Sequence, residues 1–304
     1  MKKVGFALIG LLLLIVSACG SSDDSSASGS EKKTNETVTY ESENGAVEVP
    51  ADPERVVVLG SYAGNVEALG VDVVGVDDWA KKSPVLAEKL EDAETVTEDD
   101  VEKILELKPD LIIGANTTKN LDKFKEIAPT VTYTYNKLDY LEQHVEIGKL
   151  LNKEEEAQKW VDDFKTRAED AGEEIKAKIG EDTTVTVMEN YEKGIGILGD
   201  SWGRGTEVLY QAMGFGMPDK VKDVTEQEGY KMISEEVLAD YVGDYLLISQ
   251  YNDQDNSYQE SELFKKIPAV KEGNVLKADA YAFMFNDPLT LDYQLNFFEE
   301  EFLK

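Results

Sequence analysis

Between Gly199 and Thr206 the chain reads Gly-Asp-Ser-Trp-Gly-Arg-Gly-Thr, a concentration of recognition chemistry within eight residues. Trp202 offers a flat aromatic face, and Arg204 a planar guanidinium with five donors. Gly203 and Gly205 flank the arginine, so the backbone can turn sharply and aim both side chains into a cleft. The segment stands between a strand and a helix that begins near Glu207, and open α/β sheets bind ligands at such loops. An arginine fork is suited to oxygens that carry partial negative charge. The competing reading packs Trp202 on a lobe surface and pairs Arg204 with a neighbouring carboxylate. Only three arginines occur in the chain, and one placed beside a tryptophan in a glycine-rich loop points to the cleft. Further rings recur at loop positions: Tyr62, Trp79, Tyr135, Tyr281, Phe283 and Phe285. Together they predict a ring-lined cleft for a bulky, mostly apolar ligand.

Catalytic signatures are missing. His144 is the single histidine, flanked by Glu142 and Glu146 in a helical stretch, and it reads as an exposed or partly packed side chain. A histidine-rich zinc or manganese site is excluded, as is a serine or cysteine nucleophile with its histidine unless His144 serves it. No nucleophile elbow, phosphate loop or dinucleotide fingerprint is present. The 62 carboxylates are too numerous for a close pair to mean anything, so no catalytic residue is nominated and the chain reads as a non-enzyme with no intrinsic cofactor. The net charge of −31 excludes nucleic acid, which requires a basic face. It is read as a solvated acidic surface.

Two sets of elements must position these residues. Arg55–Gly60, Val73–Val76, Asp110–Gly114 and Thr130–Tyr133 are short apolar or β-branched runs of the buried-strand kind, with helical spacing at Val66–Leu69 and Val101–Leu107. A βαβα alternation of this sort builds a parallel α/β lobe. A second series, with strands at Val185–Met188, Ile195–Leu198, Tyr245–Ile248 and Asn274–Lys277 and helices at Val208–Met213 and Val237–Tyr241, predicts a second lobe of the same class. Between them Tyr140–Ile179 is charged, proline-free and helical in spacing, with a break near Asn152. It reads as a rigid helix joining the lobes. Glu102 and Asp110 are eight residues apart, as are Glu236 and Asp244, each pair spanning a helix, a turn and a strand, which fits two lobes on one plan. The alternation at Val38–Tyr40 and Val47–Pro50 predicts a hairpin.

The N-terminus fixes the compartment. Lys2 and Lys3 precede the apolar run Val4–Val16, too short to span a membrane comfortably, and Val16-Ser17-Ala18-Cys19-Gly20 resembles the lipobox of bacterial lipoproteins. By that resemblance Cys19, the only cysteine, becomes the lipidated first residue of the mature chain, whose net charge is then −33, since Lys2 and Lys3 depart with the signal. The expected divisions are a signal peptide over 1–18, a flexible tether over 19–36, an N-terminal lobe over 37–152, a connecting helix over 153–179 and a C-terminal lobe over 180–304.

Five motifs carry a family resemblance: Pro53-Glu54-Arg55-Val56-Val57, Leu107 to Ile113, Ala128-Pro129-Thr130-Val131, Gly199 to Gly205, and Asn286 to Tyr293. Through them the chain resembles the iron-siderophore family of ABC-transporter binding lipoproteins, in particular its ferric-hydroxamate, FhuD-like branch. The resemblance implies two Rossmann-like α/β lobes joined by a single long helix, the class III periplasmic-binding-protein fold, with little closure on binding. It implies a monomer at the extracellular face of the cell membrane that hands a ferric hydroxamate siderophore to ABC permease subunits and their ATPase. The ligand-contacting set is then Tyr62, Trp79, Asn116, Tyr135, Trp202, Arg204, Phe283 and Met284, with Glu102 and Glu236 docking on the permease. Met284 departs from the family, where a tryptophan stacks on the ligand. A ferric catecholate, a citrate-type siderophore or haem stands as an alternative ligand, and a surface α/β lipoenzyme as an alternative class. A catecholate would call for several converging basic groups.

Overall fold

The computed structural model describes residues 36–191 and 194–304. The chain opens with an antiparallel hairpin, β1 (Thr37–Ser42) and β2 (Gly45–Pro50). A five-stranded sheet follows, built from β3 (Val56–Leu59), β4 (Val73–Val76), β5 (Glu94–Thr95), β6 (Leu111–Ala115) and β7 (Thr130–Tyr133) in the order β5-β4-β3-β6-β7. Every pairing in it is parallel. Buried on both faces, the central strands β3 and β6 consist of continuous apolar runs. Helices α1 (Ala63–Ala68), α2 (Asp78–Lys82), α3 (Val101–Leu107) and α4 (Leu121–Ile127) connect them. The edge strand β5, with two residues, and the five-residue helix α2 are too short to leave a periodic signal in the sequence, whereas α4 carries Leu121, Phe124 and Ile127 at helical spacing, a signal the sequence reading does not use.

The second sheet comprises β8 (Val185–Tyr191), β9 (Gly194–Leu198), β10 (Tyr230–Ile233), β11 (Tyr245–Gln250) and β12 (Val275–Asp279), in the order β10-β9-β8-β11-β12. Counted along the chain, each strand takes the same place as its counterpart in the first sheet. The lobe is not purely parallel as the sequence predicts, because β9 runs antiparallel to both β8 and β10. Only two residues separate β8 from β9, too few for the crossover that a parallel neighbour needs. The repeat is carried by a shared device. Asp110 accepts the backbone N–H groups of Glu54 and Arg55 at 2.8 and 3.0 Å, at the entry to β3. Asp244 accepts the N–H and the hydroxyl of Thr184, both at 2.8 Å, at the entry to β8.

Between the sheets run α5 (Tyr140–Leu150) and α6 (Glu154–Ile179), with Asn152 in a left-handed conformation at the break. Asp139 caps α5 in a full capping box with Glu142. The 26 residues of α6 span about 39 Å. Its buried residues Ala157, Val161, Phe164, Ala168, Ala171 and Ile175 form one stripe. Three glutamates in the first turn and Lys176 and Lys178 in the last complement the helix dipole.

A second rigid link comes from the C-terminus. The helix α10 (Pro288–Leu303), which follows the short helices α7 (Asp219–Thr225), α8 (Glu235–Leu238) and α9 (Pro268–Glu272), packs on both α6 and α1. Trp160 and Arg167 of α6 donate to Asp292 of α10 at 3.1 and 2.7 Å. Asp287 caps α10 through Leu289 and Thr290, and it lies so close to α1 that a Cβ on Gly64 would sit 2.1 Å from its carboxyl carbon. His144 also belongs to this junction and is fully buried, where the sequence reading has it exposed or partly packed. Its Nδ1 lies 3.1 Å from Asn65 Oδ1, and its ring meets Trp160 edge-on at 5.3 Å. Helical spacing alone does not reveal that α1 and α6 close over both sides of α5.

Candidate functional site

The loop after β9 presents Arg204 with unusual backbone geometry. Gly203, Arg204 and Gly205 are successive left-handed residues, with φ of 69°, 56° and 84°. Tight contacts leave no room for side chains beside the arginine: a Cβ on Gly203 would lie 2.6 Å from the Met284 carbonyl, and one on Gly205 2.8 Å from the Phe298 ring. For a non-glycine residue this conformation costs about 1–3 kcal/mol. It is held by a 2.7 Å bond from the Arg204 N–H to the Phe283 carbonyl.

The guanidinium does two things that the sequence sets as alternatives. It lines a cavity between the two lobes, and it pairs with a carboxylate. Nε donates to Glu189 Oε2 at 3.0 Å and Nη2 to Oε1 at 3.3 Å, while Nη1 reaches the Met284 carbonyl at 3.4 Å. Glu189 is fully buried near the end of β8 and also accepts the Ser249 hydroxyl at 2.8 Å, from the residue facing it on β11. Burial alone would lower the Arg204 pKa. The charge and hydrogen bonds of Glu189 outweigh it and hold the guanidinium above its usual range. Its two-pronged edge is thus turned to protein, and what remains for a ligand is the face bearing Nη1.

This cavity measures about 550 Å³. Trp79, half exposed on the first turn of α2, and Asp77 form one wall; Tyr191, Tyr251 and Arg204 form the other; Met284 and Phe285 close the end. Asp77 caps α2 through the Ala80 N–H at 3.0 Å and accepts the Gly60 N–H at 3.2 Å, and burial raises its pKa despite both bonds. Lys82 sits over the Trp79 ring at 4.9 Å and is paired with Asp78.

A second cavity of about 280 Å³ adjoins the first at Ser61. Tyr62 and Tyr135 line it with Lys137, Tyr140 and Glu207. Tyr62 is buried, meets Tyr133 edge-on at 5.4 Å and has its pKa pushed up to about 12 by burial, whereas Tyr135 stands 62% exposed. Glu207 is buried at the foot of the arginine loop, where it accepts the Gly203 N–H at 3.0 Å, the Thr206 hydroxyl at 2.9 Å and the Asn286 amide at 3.2 Å. Burial nonetheless raises its pKa.

Of the residues expected at the ligand, Trp79, Arg204 and Met284 line the first cavity and Tyr62 and Tyr135 the second. Three stand elsewhere. Phe283 is a core residue with no solvent contact, edge-on to Tyr293, Phe297 and Phe298. Asn116 lines neither cavity and ties the hairpin to β7, bonding Asn44, Thr132, Thr134 and Glu43. Trp202 packs on Tyr230 at 4.7 Å and against Gly229, the lobe-surface reading of this residue. Tyr281 lies edge-on to Tyr251 at 4.9 Å. Glu102 and Glu236 are both exposed in the first turns of α3 and α8 (Glu235–Leu238). Cys19 lies outside the described residues. Sequence reasoning missed Glu189, Tyr191 and Tyr251. A carboxylate directly after the apolar run Val185–Met188 is a signal for the first, since a buried strand end rarely carries an unpaired charge.

Two α/β lobes with equivalent strand orders, a long helix between them and a ring-lined cleft define a two-lobed solute-binding protein. The periplasmic binding protein family model matches residues 56–282, and the chain belongs to that family. It is 38% identical over 311 residues to the iron(3+)-hydroxamate-binding protein FhuD of Bacillus subtilis strain 168, covering 100% of this chain and 98% of the relative. Among solved structures it is similar to the FhuD protein from S. pseudintermedius, with a TM-score of 0.80 and 37% identity over 88% of this chain and 98% of that one. FhuD2 from Staphylococcus aureus with bound ferrioxamine B superposes with a TM-score of 0.79 and 36% identity, covering 83% and 98%.

Proposed function

We propose that the protein captures a ferric hydroxamate siderophore in the cleft between its lobes and delivers it to an ABC permease, held at the extracellular face of the membrane by lipid on Cys19. The observation that carries this reading is the paired cavity itself. Trp79, Tyr191, Tyr251, Tyr62 and Tyr135 supply ring surface for the apolar body of a chelate, and Arg204 Nη1 supplies a charged donor for its iron-coordinating oxygens. The names of the B. subtilis relative and the S. aureus structure support the same ligand class. The two links between the lobes, α6 and the α10 latch, favour a cleft that changes little on binding.

Glu102 and Glu236 are the groups that would meet the permease, one on each lobe. Lipidation of Cys19 is testable by substitution: Cys19→Ala should release the protein from the membrane without changing ligand affinity, and unchanged retention overturns the anchor. For the ligand itself, Trp79 is a built-in reporter. Titration with ferrioxamine B should quench tryptophan fluorescence in a saturable one-to-one isotherm. No saturation, together with no heat in calorimetry, overturns the reading.

A further inference from the structure

The cleft is short of positive charge. Its two cavities are lined by four carboxylates, Asp77, Glu189, Asp139 and Glu207, and by two cations, Arg204 and Lys137. Both cations are already paired, Arg204 with Glu189 and Lys137 with Glu43 at 2.9 Å. No unpaired cation lines either cavity among the described residues. Glu189 is the carboxylate that matters most, because it is fully buried and bonded on both oxygens to the guanidinium nearest the ligand space.

We infer that Glu189 is a specificity-determining residue that neutralises Arg204 and so restricts the cleft to ferric chelates of neutral or positive net charge, rejecting anionic ones. This rests on the siderophore reading above and refines it. A ferric trihydroxamate core is neutral, since three hydroxamate anions balance Fe(III), whereas a tricatecholate or citrate-type chelate carries net negative charge. An anionic chelate entering this space would meet Asp77 and Glu207 with no free cation to offset its desolvation. A neutral core needs only ring surface and the Nη1 donor. A chelate with a protonated amine gains from the excess carboxylates.

The experiment varies charge on one scaffold. Ferrioxamine B carries +1 on its terminal amine; acetylation makes it 0, and succinylation −1. Calorimetric titration of the wild-type protein should give affinities that fall in that order. Glu189→Gln keeps the shape and an acceptor for Ser249 while removing the charge. It should lower the ratio of cationic to anionic affinity about tenfold or more. The exposed Glu173→Gln should leave the ratio unchanged, which separates a local effect from the general acidity of the protein. If none of the three derivatives binds, the ligand reading fails. If all bind the wild type equally, or if Glu189→Gln leaves the ratio intact, the charge inference fails. Should Glu189→Gln not fold, the wild-type series in 50 mM and 500 mM salt decides. A discrimination set inside the cleft survives the higher salt, and one set by surface charge disappears.

Discussion

Glu189 holds Arg204 by both of its oxygens, at 3.0 and 3.3 Å, from a position on β8 with no solvent contact. The pair joins the centre of the second sheet to the glycine-rich loop. The arginine is therefore a structural member of the lobe as well as a wall of the cleft. That changes what its removal does, because a substitution would strand a buried carboxylate. A loop arginine without such a partner would contribute little to folding.

Arg204→Ala should destabilise the protein by about 3–5 kcal/mol, the effect of leaving a buried charge unpaired, in addition to weakening ligand binding. Adding Glu189→Gln should recover most of the stability but not the affinity. Urea unfolding beside ligand titration measures both, and a single variant as stable as wild type would show that Glu189 does not depend on Arg204 as its partner.

Gly64→Ala should destabilise by about 1–3 kcal/mol or more, because the new methyl group would lie 2.1 Å from the Asp287 carboxyl carbon. Asp287 is fixed by its bonds to the start of α10 and cannot retreat without uncapping that helix. Thermal unfolding of Gly64→Ala alone and in an Asp287→Ala background, which removes the opposing carboxyl group, distinguishes this clash from general glycine loss.

His144 gives stability a pH dependence. Burial lowers its pKa to about 4 from an ordinary 6.5, so the unfolded chain binds the proton first. Stability from this residue is complete above about pH 6.5 and is lost as pH falls through the window from 6.5 to 4, by about 3 kcal/mol in all. The raised carboxylates Asp77, Glu207 and Asp287 act with opposite sign at the acid end, but they are present in any His144 variant and cancel in a difference. Subtracting the unfolding free energies of His144→Gln from wild type between pH 4 and 7 should therefore yield a difference that shrinks towards pH 4. A difference independent of pH would mean that His144 titrates normally.

The double variant Glu102→Ala, Glu236→Ala should bind its ligand with wild-type affinity yet impair uptake by cells. Both carboxylates are exposed, and neither lines either cavity. Uptake at the wild-type rate would leave them only the minor role of favouring the helix dipole.

How the repeat is built was partly legible. The spacing of Glu102 to Asp110 and of Glu236 to Asp244 anticipates two lobes on one plan, and the structure supplies the reason for the aspartates: each closes the entry of the neighbouring central strand. The antiparallel course of β9 was not read from the sequence: the run Ile195–Leu198 reads as any buried strand, and the two-residue separation from β8 that rules out a crossover emerges only when β8 is seen to extend to Tyr191.

The sequence by itself determined the elements whose cause is local. Continuous apolar runs bury on both faces and become central strands; a proline-free stripe of Ala157, Val161, Phe164, Ala168 and Ile175 becomes one long helix; glycines around Arg204 allow three successive left-handed residues. Tertiary structure decided which side chains meet. Phe283, Met284 and Phe285 are adjacent in sequence and share one apolar character, yet Phe283 enters the core of the second lobe, Met284 faces the cleft and Phe285 packs into the first lobe. Their segment crosses between two lobes, so each residue answers to a different neighbour. The partner of Arg204 was decided in the same way: Glu189 lies on β8 and Arg204 on the loop after β9, with Ser249 of β11 paired beside the carboxylate, and register between distant strands is set by packing rather than by any local pattern.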